Sequence, residues 1–113
     1  MLMKWMISYL RLRLKVAFAS NLGKISFYMS SFGETACIVG SAAGLTMRDW
    51  VYTQYREQGA FIWRGFTIDQ IINQCIGNAM DGGKGRQMPV HYGSKDLNMV
   101  TVSSPLSNFL KLA

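Results

Sequence analysis

The sequence has few of the residues from which metal sites and disulfide frameworks are built. It contains two cysteines, Cys37 and Cys75, and one histidine, His91, among 113 residues. With so few ligands, a zinc site of the usual four-ligand kind cannot be assembled. One disulfide is an open alternative, but both thiols have apolar neighbours in the sequence. We therefore predict that both cysteines are buried, reduced and unreactive.

Acidic side chains are absent from the first 24 residues. This segment carries five bases, whereas residues 25–113 carry seven bases and six acids, so most of the net charge of +6 belongs to the N-terminal segment. A nucleic-acid-binding domain needs a basic face on its folded body. The distribution therefore argues against a nucleic-acid partner. A basic interaction module that binds polyanions through residues 1–24 is the minor alternative.

The sequence also lacks an uninterrupted apolar run of about twenty residues, so no transmembrane helix is predicted. Residues 1–22 mix apolar side chains with four bases. On a helix Lys4, Arg11 and Lys15 fall on one side, while Arg13 points elsewhere. Three of the bases follow the apolar residues, which is unlike a secretory signal. The segment is an organelle-targeting helix, a helix packed on the body, or a non-native start.

Two later segments have the pattern of helices. Residues 34–45 are small and apolar, which favours a closely packed helix with Glu34 at its N-terminus. Residues 67–78 combine a capping box of Thr67 and Gln70 with a stop at Gly77 and Asn78. Between these signals, apolar residues recur at helical spacing. They are Ile68, Ile71, Ile72, Cys75 and Ile76.

Residues 49–57 and 98–104 have the composition of strands, being rich in valine, threonine and aromatic residues. The mixture of helices and strands predicts an α/β fold. Within the first of these segments, Arg56 follows a phenol and precedes Glu57. A guanidinium in this setting suits either a diphosphate clamp or a surface ion pair with Glu57.

Residues 81–95, DGGKGRQMPVHYGSK, are the least ordinary stretch. Three glycines surround Lys84 and Arg86, and His91 follows. The stretch is not a P-loop, because Lys84 is followed by Gly85 rather than by serine or threonine. It follows a helix rather than a strand, which excludes a dinucleotide fingerprint. Spacing alone leaves a solvated turn and a ligand site as alternatives.

Five stretches, taken in order, resemble one enzyme family. They are GKISFYMSSFGE, QYREQG, WRGFT, GNAMDGGKGRQMPVHYGSKDLN and VTVSSPL, and they cover about residues 23–107. The chain is similar to the alpha subunits of branched-chain 2-oxo acid dehydrogenases (2-oxoisovalerate dehydrogenases). The resemblance divides the chain into an unmatched basic segment, 1–22, and a partial thiamine-diphosphate-binding domain, 23–113. The implied fold is the N-terminal part of a parallel sheet flanked by helices.

The resemblance implies oxidative decarboxylation of branched-chain 2-oxo acids in the mitochondrial matrix, with transfer of the acyl group to a lipoyl domain. The implied cofactor is thiamine diphosphate with magnesium, and the implied structural cation is potassium. The implied partners are a beta subunit, in an α2β2 heterotetramer, and the lipoyl acyltransferase of the complex.

The same resemblance assigns site residues. Those that would meet the cofactor are Gln54, Tyr55, Arg56, Ser104 and Leu106. Ser103 and Pro105 would give oxygens to the potassium ion. No catalytic residue is assigned, and His91 receives no catalytic role. The loop 81–95 would line the subunit interface and the approach to the active site.

Two departures from the family pattern support an alternative. The Gly-Asp-Gly or Gly-Glu-Gly segment that holds magnesium diphosphate in the family does not occur in these residues. Asn108 and Phe109 replace a Thr-Gln pair, and Phe109 has no side-chain oxygen for a cation. The alternative is a catalytically inactive fragment or truncated product with at most a binding role. Such a fragment would expose sheet edges and the aromatic residues of FIWRGF, and we expect poor solubility.

Overall fold

The regular secondary structure of the described residues consists of four helices. The structure, a computed structural model, describes residues 2–104. Its helices are α1 (Leu2–Asn21), α2 (Thr35–Ala43), α3 (Gln58–Trp63) and α4 (Ile68–Ile76). The helices predicted within 34–45 and 67–78 are confirmed as α2 and α4. The sequence analysis did not predict α3.

The predicted strands do not form in the described part of the chain. Val51 pairs with Met99 in an isolated parallel bridge, and Ser94 pairs with Met99 in an antiparallel one. The Val51 amide donates to the Asn98 carbonyl at 2.9 Å, and the Val100 amide donates to the Val51 carbonyl at 3.0 Å. A strand needs a ladder of such bonds along successive residues. The helical part of the α/β prediction is confirmed for the described residues, but its parallel sheet is not.

The first helix, α1, packs on the body of the protein through one apolar face. Tyr9, Leu12 and Val16 lie on this face and are buried, and α1 contacts α2 and α3. Gly59 permits the close approach, because a Cβ atom there would lie 3.1 Å from Ile38 Cγ2 and 3.2 Å from Tyr9 Cε1. In the structure α1 is thus a helix packed on the body, and the organelle-targeting and non-native-start alternatives for this segment stay predictions. No helix within residues 2–104 is long and apolar enough to cross a membrane.

Arg13 is set apart from the other bases of α1, as predicted. It is buried, whereas the others are exposed. Its Nη1 donates to the Ser31 carbonyl at 2.7 Å and to Thr35 Oγ1 at 2.9 Å. The guanidinium carbon lies 4.8 Å from the centre of the Phe32 ring. These contacts join α1 to the start of α2.

Three aromatic rings form the centre of the core. Phe61, Phe66 and Tyr92 have ring centroids 5.5, 5.6 and 5.8 Å apart, in edge-on or tilted arrangements that aromatic pairs favour. Phe61 and Phe66 are buried, and Trp63 is half-buried. The expected exposure of the FIWRGF aromatics is therefore wrong. The short helix α3 and the turn after it direct these rings into the core.

Arg64 follows α3 and joins three loop segments. It is buried, and its Nη1 donates to the carbonyls of Asp49 and Leu97 at 2.8 and 2.9 Å. Its Nη2 donates to the Thr46 carbonyl at 2.8 Å. A buried charge is costly unless hydrogen bonds satisfy it, and these three bonds do so. Arg64 therefore fixes residues 46–49 against Leu97.

The predicted ends of α4 are confirmed. Thr67 Oγ1 accepts from the Gln70 amide at 3.2 Å, and Gln70 Oε1 accepts from the Thr67 amide at 2.8 Å. Gly77 ends the helix in the left-handed conformation, with φ 70°, which glycine adopts without strain.

The predicted apolar row of α4 is only partly buried. Ile71 and Cys75 lie in the core, but Ile68, Ile72 and Ile76 are 46%, 36% and 57% exposed. These residues do recur at helical spacing, but they fall on two neighbouring faces of the helix, one with Ile71 and Cys75 and one with the three exposed isoleucines. Within residues 2–104, only one of these faces meets the core.

The two cysteines differ in environment, and both thiols are free. Cys75 is buried, and desolvation raises the pKa of its thiol, so the reactive thiolate is disfavoured. Cys37 is exposed on α2, so its predicted burial is wrong. Its neighbours in sequence are apolar, but helical geometry turns successive residues to different faces.

Candidate functional site

A cleft of about 620 Å³ lies between the glycine-rich loop and α4. Gln70 and Gln74 line it from α4, and the opposite wall comes from the loop and from the segment after His91. The charged residues along the cleft are Asp81, Lys84, Arg86, Lys95 and Asp96. With three bases and two acids, it is a polar cleft of nearly balanced charge.

Asp81 organises the glycine-rich loop. It is buried, and its Oδ2 accepts from the Gly85 amide at 2.9 Å, while its carbonyl accepts from the Lys84 amide at 2.9 Å. A Cβ atom at Gly85 would lie 2.8 Å from the Gly77 carbonyl oxygen, so the loop can pack on the end of α4 only with glycine there. The sequence analysis missed this role of Asp81. The signal was available, because aspartate before glycines is typical of side-chain-capped turns.

His91 lies between the loop and Ser104. It is buried, its Nδ1 is 3.0 Å from the Pro89 carbonyl oxygen, and its Nε2 is hydrogen-bonded to Ser104 Oγ. A carbonyl can only accept, so Nδ1 carries a proton, and in the neutral ring Nε2 accepts from the Ser104 hydroxyl. Spacing could not indicate this pair, because 13 residues separate its members.

The backbone around His91 is tightly constrained. Val90 is buried with φ 65°, a conformation that is uncommon for a β-branched residue. A Cβ atom at Gly93 would lie 2.9 Å from Thr101 Cα, so this position also requires glycine. Outliers of this kind persist only where the surrounding structure holds them, and they concentrate at functional sites.

A chain of buried polar groups runs behind the cleft. Gln58 Nε2 donates to the Tyr28 hydroxyl at 3.1 Å, and the Tyr92 hydroxyl donates to Gln58 Oε1 at 3.4 Å. The Tyr92 hydroxyl also lies 3.4 Å from Cys75 Sγ. Desolvation raises the pKa of Tyr28, Tyr92 and Cys75, so all three stay neutral at physiological pH. The chain therefore serves as uncharged support for the cleft.

The predicted cofactor residues of the first segment immediately precede α3. Gln54 is exposed, and Tyr55 and Arg56 are half-buried. The Arg56 guanidinium carbon lies 5.8 Å from the centre of the Tyr55 ring. Glu57 Oε2 accepts from the Gln54 amide at 2.8 Å. The carboxylate thus caps this turn, and the guanidinium of Arg56 lies within cation–π distance of the phenol ring.

The second group of predicted site residues follows Met99. From the Val51–Met99 bridge both segments run in the same direction, one toward Arg56 and the other toward Ser103 and Ser104. In α/β proteins, ligands bind beyond the carboxyl ends of parallel neighbours. With a single bridge between them and no sheet among the described residues, the structure gives the two segments a shared direction from Val51 and Met99 and no more. Ser103 is half-buried and Ser104 is exposed, and the predicted site residues Pro105 and Leu106 lie outside the described residues.

One buried hydroxyl in the segment before α3 lacks a hydrogen-bond partner within the described residues. Thr53 precedes Gln54 and is 3% exposed, and its Oγ1 has no hydrogen-bond partner among residues 2–104. Such an atom is unusual, because buried polar groups are nearly always paired. Within residues 2–104, no group of three or more histidine, cysteine, aspartate or glutamate residues is placed to hold a metal ion.

Comparison with known proteins confirms the resemblance. The family model described as dehydrogenase E1 component matches residues 5–112, which includes much of the segment separated above as 1–22. The chain is 60% identical over 91 residues to a Dictyostelium discoideum protein and 58% identical over 91 residues to one from Caenorhabditis elegans. It is 53% identical over 85 residues to one from Homo sapiens.

All three relatives are named 2-oxoisovalerate dehydrogenase subunit alpha, mitochondrial. The alignments cover 80%, 80% and 75% of this chain, but 21%, 21% and 19% of the relatives. The chain thus spans about a fifth of the length of the curated relatives it matches. The division of the chain at residues 22 and 23 stays a prediction.

Proposed function

Because the chain belongs to the dehydrogenase E1 component family, we propose that it forms part of the cofactor-binding region of a 2-oxoisovalerate dehydrogenase alpha subunit. The observation that carries the proposal is 60% identity to such a subunit across 80% of the chain. The family depends on thiamine diphosphate. The proposed reaction is oxidative decarboxylation of branched-chain 2-oxo acids, with acyl transfer to a lipoyl domain.

The residues just before α3 fit a diphosphate-bearing cofactor. Arg56 offers a half-buried guanidinium beside the Tyr55 ring, and such a group suits bidentate contact with a diphosphate. The hydroxyl of Thr53, which has no partner within residues 2–104, is a further polar group in the same segment. When bound, thiamine diphosphate supplies the electron sink that allows carbon dioxide to leave. The chain supplies position and charge.

Ser104 would contribute a hydrogen-bond acceptor. When the His91 ring is neutral, Nδ1 donates to the Pro89 carbonyl, so the hydroxyl of Ser104 donates its proton to the hydrogen bond with Nε2. The lone pairs of Ser104 Oγ are therefore the part that remains for a cofactor N–H group. In this proposal His91 is a positioning residue and not a catalytic one.

The finer assignments come from the same family membership. We propose Gln54 and Leu106 as further cofactor contacts, Ser103 and Pro105 as oxygen donors to potassium, and magnesium as the counter-ion of the diphosphate. We also propose a beta subunit in an α2β2 assembly and a lipoyl acyltransferase as partners. The relatives are named mitochondrial, which supports a location in the mitochondrial matrix.

The test uses the tagged protein purified from its own cells together with its native partners. We expect the preparation to contain a beta subunit, to bind thiamine diphosphate and to decarboxylate 3-methyl-2-oxobutanoate. Arg56→Ala should weaken thiamine diphosphate binding, followed by fluorescence quenching, by about tenfold or more, because a charge-assisted hydrogen bond contributes about 1.5–3 kcal/mol.

The matched control is Arg48→Ala. Arg48 lies in the same loop between α2 and α3, its guanidinium is exposed, and it is not one of the proposed cofactor contacts. It should leave cofactor affinity unchanged. Equal affinity in the Arg56 variant and the parent would contradict the proposed role of Arg56. A preparation that retains the beta subunit but has no decarboxylase activity would favour the inactive-fragment alternative.

A further inference from the structure

A groove of about 440 Å³ lies between α1 and α4, and its lining does not include Gln54, Tyr55, Arg56 or Ser104. Its floor is apolar and includes Leu12 and Val16 of α1. Ile68, Ile72 and Ile76 of α4 complete the apolar lining. Three bases stand along it, Arg11, Lys15 and Lys24, and all are exposed. Among residues 2–104, no acidic side chain lines the groove.

The three isoleucines form the second apolar row of α4. They recur at i, i+4 and i+8, and they are 46%, 36% and 57% exposed. The other face of the helix already packs in the core through Ile71 and Cys75. A contiguous exposed apolar surface rimmed by polar groups is typical of an interaction site. The helix α4 therefore carries more apolar residues than the core formed by residues 2–104 buries.

The shape of the groove favours a helix as its occupant. Ile68, Ile72 and Ile76 form an exposed ridge at i±4 spacing on one wall, above the buried Leu12 and Val16 of the floor. Ridges of this spacing interdigitate with the i±4 ridge of another helix. A lipid surface would instead meet a convex apolar face, as interfacial helices do. The concave form thus argues for an inserted helix.

The positive charge along the groove favours a helix that carries acidic side chains. The first acid of the sequence is Glu34, so α1 has bases but no acids. A second copy of α1 in the groove would bring like charges together, which costs free energy at an interface. Acidic residues beside the apolar row would instead meet Arg11, Lys15 and Lys24.

We propose that this groove binds an amphipathic helix of a partner polypeptide, with apolar residues at i and i+4 and acidic residues beside them. The argument rests on the groove alone and is independent of the proposed cofactor site. This mode resembles the recognition of amphipathic helices by apolar grooves in other proteins.

The test uses the full 113-residue chain and two synthetic helical peptides. One carries leucines at i and i+4 with flanking glutamates, and the matched peptide has lysine in place of every glutamate. Fluorescence anisotropy at low ionic strength should show binding of the glutamate peptide about tenfold tighter than the lysine peptide, since several exposed charge pairs each contribute about 0.2–1 kcal/mol.

A charge reversal makes the test independent of folding losses. The double variant Arg11→Glu/Lys15→Glu should weaken binding of the glutamate peptide about tenfold and strengthen binding of the lysine peptide. A misfolded chain would not reverse its preference. Arg48→Glu changes an exposed base outside the groove and should leave both affinities unchanged.

The apolar part has its own matched pair of variants. Ile72→Ser should weaken binding of the glutamate peptide, whereas Ile7→Ser, at an exposed position of α1 outside the groove lining, should not. Equal affinity for the two peptides would overturn the proposal. So would the absence of a reversed preference, or binding to phosphatidylglycerol vesicles with no binding of either peptide.

Discussion

The helical region, residues 2–76, and the loop region, residues 77–104, are held together by different interactions. In the helical region, buried apolar faces of α1, α2 and α3 pack on one another. In the loop region the structure shows no helix and no strand within residues 78–104. Tyr92 and Met99 of this region lie in the core, and the loops around them depend in addition on single polar atoms and on close glycine contacts, as at Asp81, His91 and Gly93.

The difference matters for how each region responds to change. Apolar packing is spread over many contacts, so one altered contact leaves the others in place. A buried polar anchor is directional, and its loss leaves several partners without hydrogen bonds. We therefore expect single substitutions at anchors to have larger effects than substitutions at helix surfaces. Three predictions test this, in order of expected effect.

Arg64→Met should cause the largest loss, because this side chain ties the two regions together. It removes hydrogen bonds to the carbonyls of Thr46, Asp49 and Leu97 and leaves those carbonyls without this donor. We expect the free energy of unfolding to fall by about 3 kcal/mol. Urea denaturation followed by tryptophan fluorescence measures it.

Arg48→Met is the control, since Arg48 is exposed, and its effect should stay within about 0.5 kcal/mol. A loss of less than about 1 kcal/mol for Arg64→Met would mean that the loop segments hold their positions without this anchor.

Gly93→Ala and Gly40→Ala should have effects of opposite sign. The new Cβ at Gly93 would meet Thr101 backbone at 2.9 Å, which we expect to cost about 2 kcal/mol, as in overpacked cores. At Gly40, within α2, nothing lies within 4 Å, so the variant should gain about 0.5 kcal/mol from helix propensity. The same denaturation experiment compares them, and two shifts of the same sign would refute the distinction between the regions.

The smallest effect concerns Asp49 and pH. Hydrogen bonds from the Thr46 amide and hydroxyl lower the pKa of its carboxyl group. A lowered pKa means that the stabilisation is present above the pKa of the unfolded state and is lost as pH falls through the folded pKa. In an NMR titration, the carboxyl carbon of Asp49 should titrate below the usual aspartate range.

Thr46→Val removes the hydroxyl but keeps the amide bond, so the midpoint for Asp49 should rise only part of the way to the usual value. Thr46→Ser keeps both donors and is the control. An unchanged midpoint in Thr46→Val would show that the hydroxyl does not contribute.

The helices could be predicted where their own residues contain the signal. The capping box and the terminal glycine of α4 act within one turn, so local sequence sets the ends of this helix. The predicted strands at 49–57 and 98–104 have the right composition, but a strand also needs neighbours. Those segments meet at the Val51–Met99 bridge alone. The same limit explains Cys37, whose apolar neighbours in sequence did not imply burial.

The candidate site was predicted by resemblance to a family and not by residue spacing. The string GKGRQMPVHYG identified the family, which the comparisons confirm. Spacing could not reveal that His91 Nε2 is hydrogen-bonded to Ser104 Oγ, or that Asp81 closes the glycine loop by accepting from the Gly85 amide. The roles of Gln54, Tyr55 and Arg56 stay predictions until cofactor binding is measured.

The sequence by itself determined the family, the presence of α2, the ends of α4, and the separation of Arg13 from the other bases of α1. These depend on short-range patterns, in which each residue acts on others within a few positions. Only the tertiary structure decided which of the two apolar rows of α4 is buried, where the carbonyl partners of Arg64 lie, and that the groove beside α1 is left open. Burial and buried hydrogen bonds depend on residues far apart in the chain, and only packing brings these together.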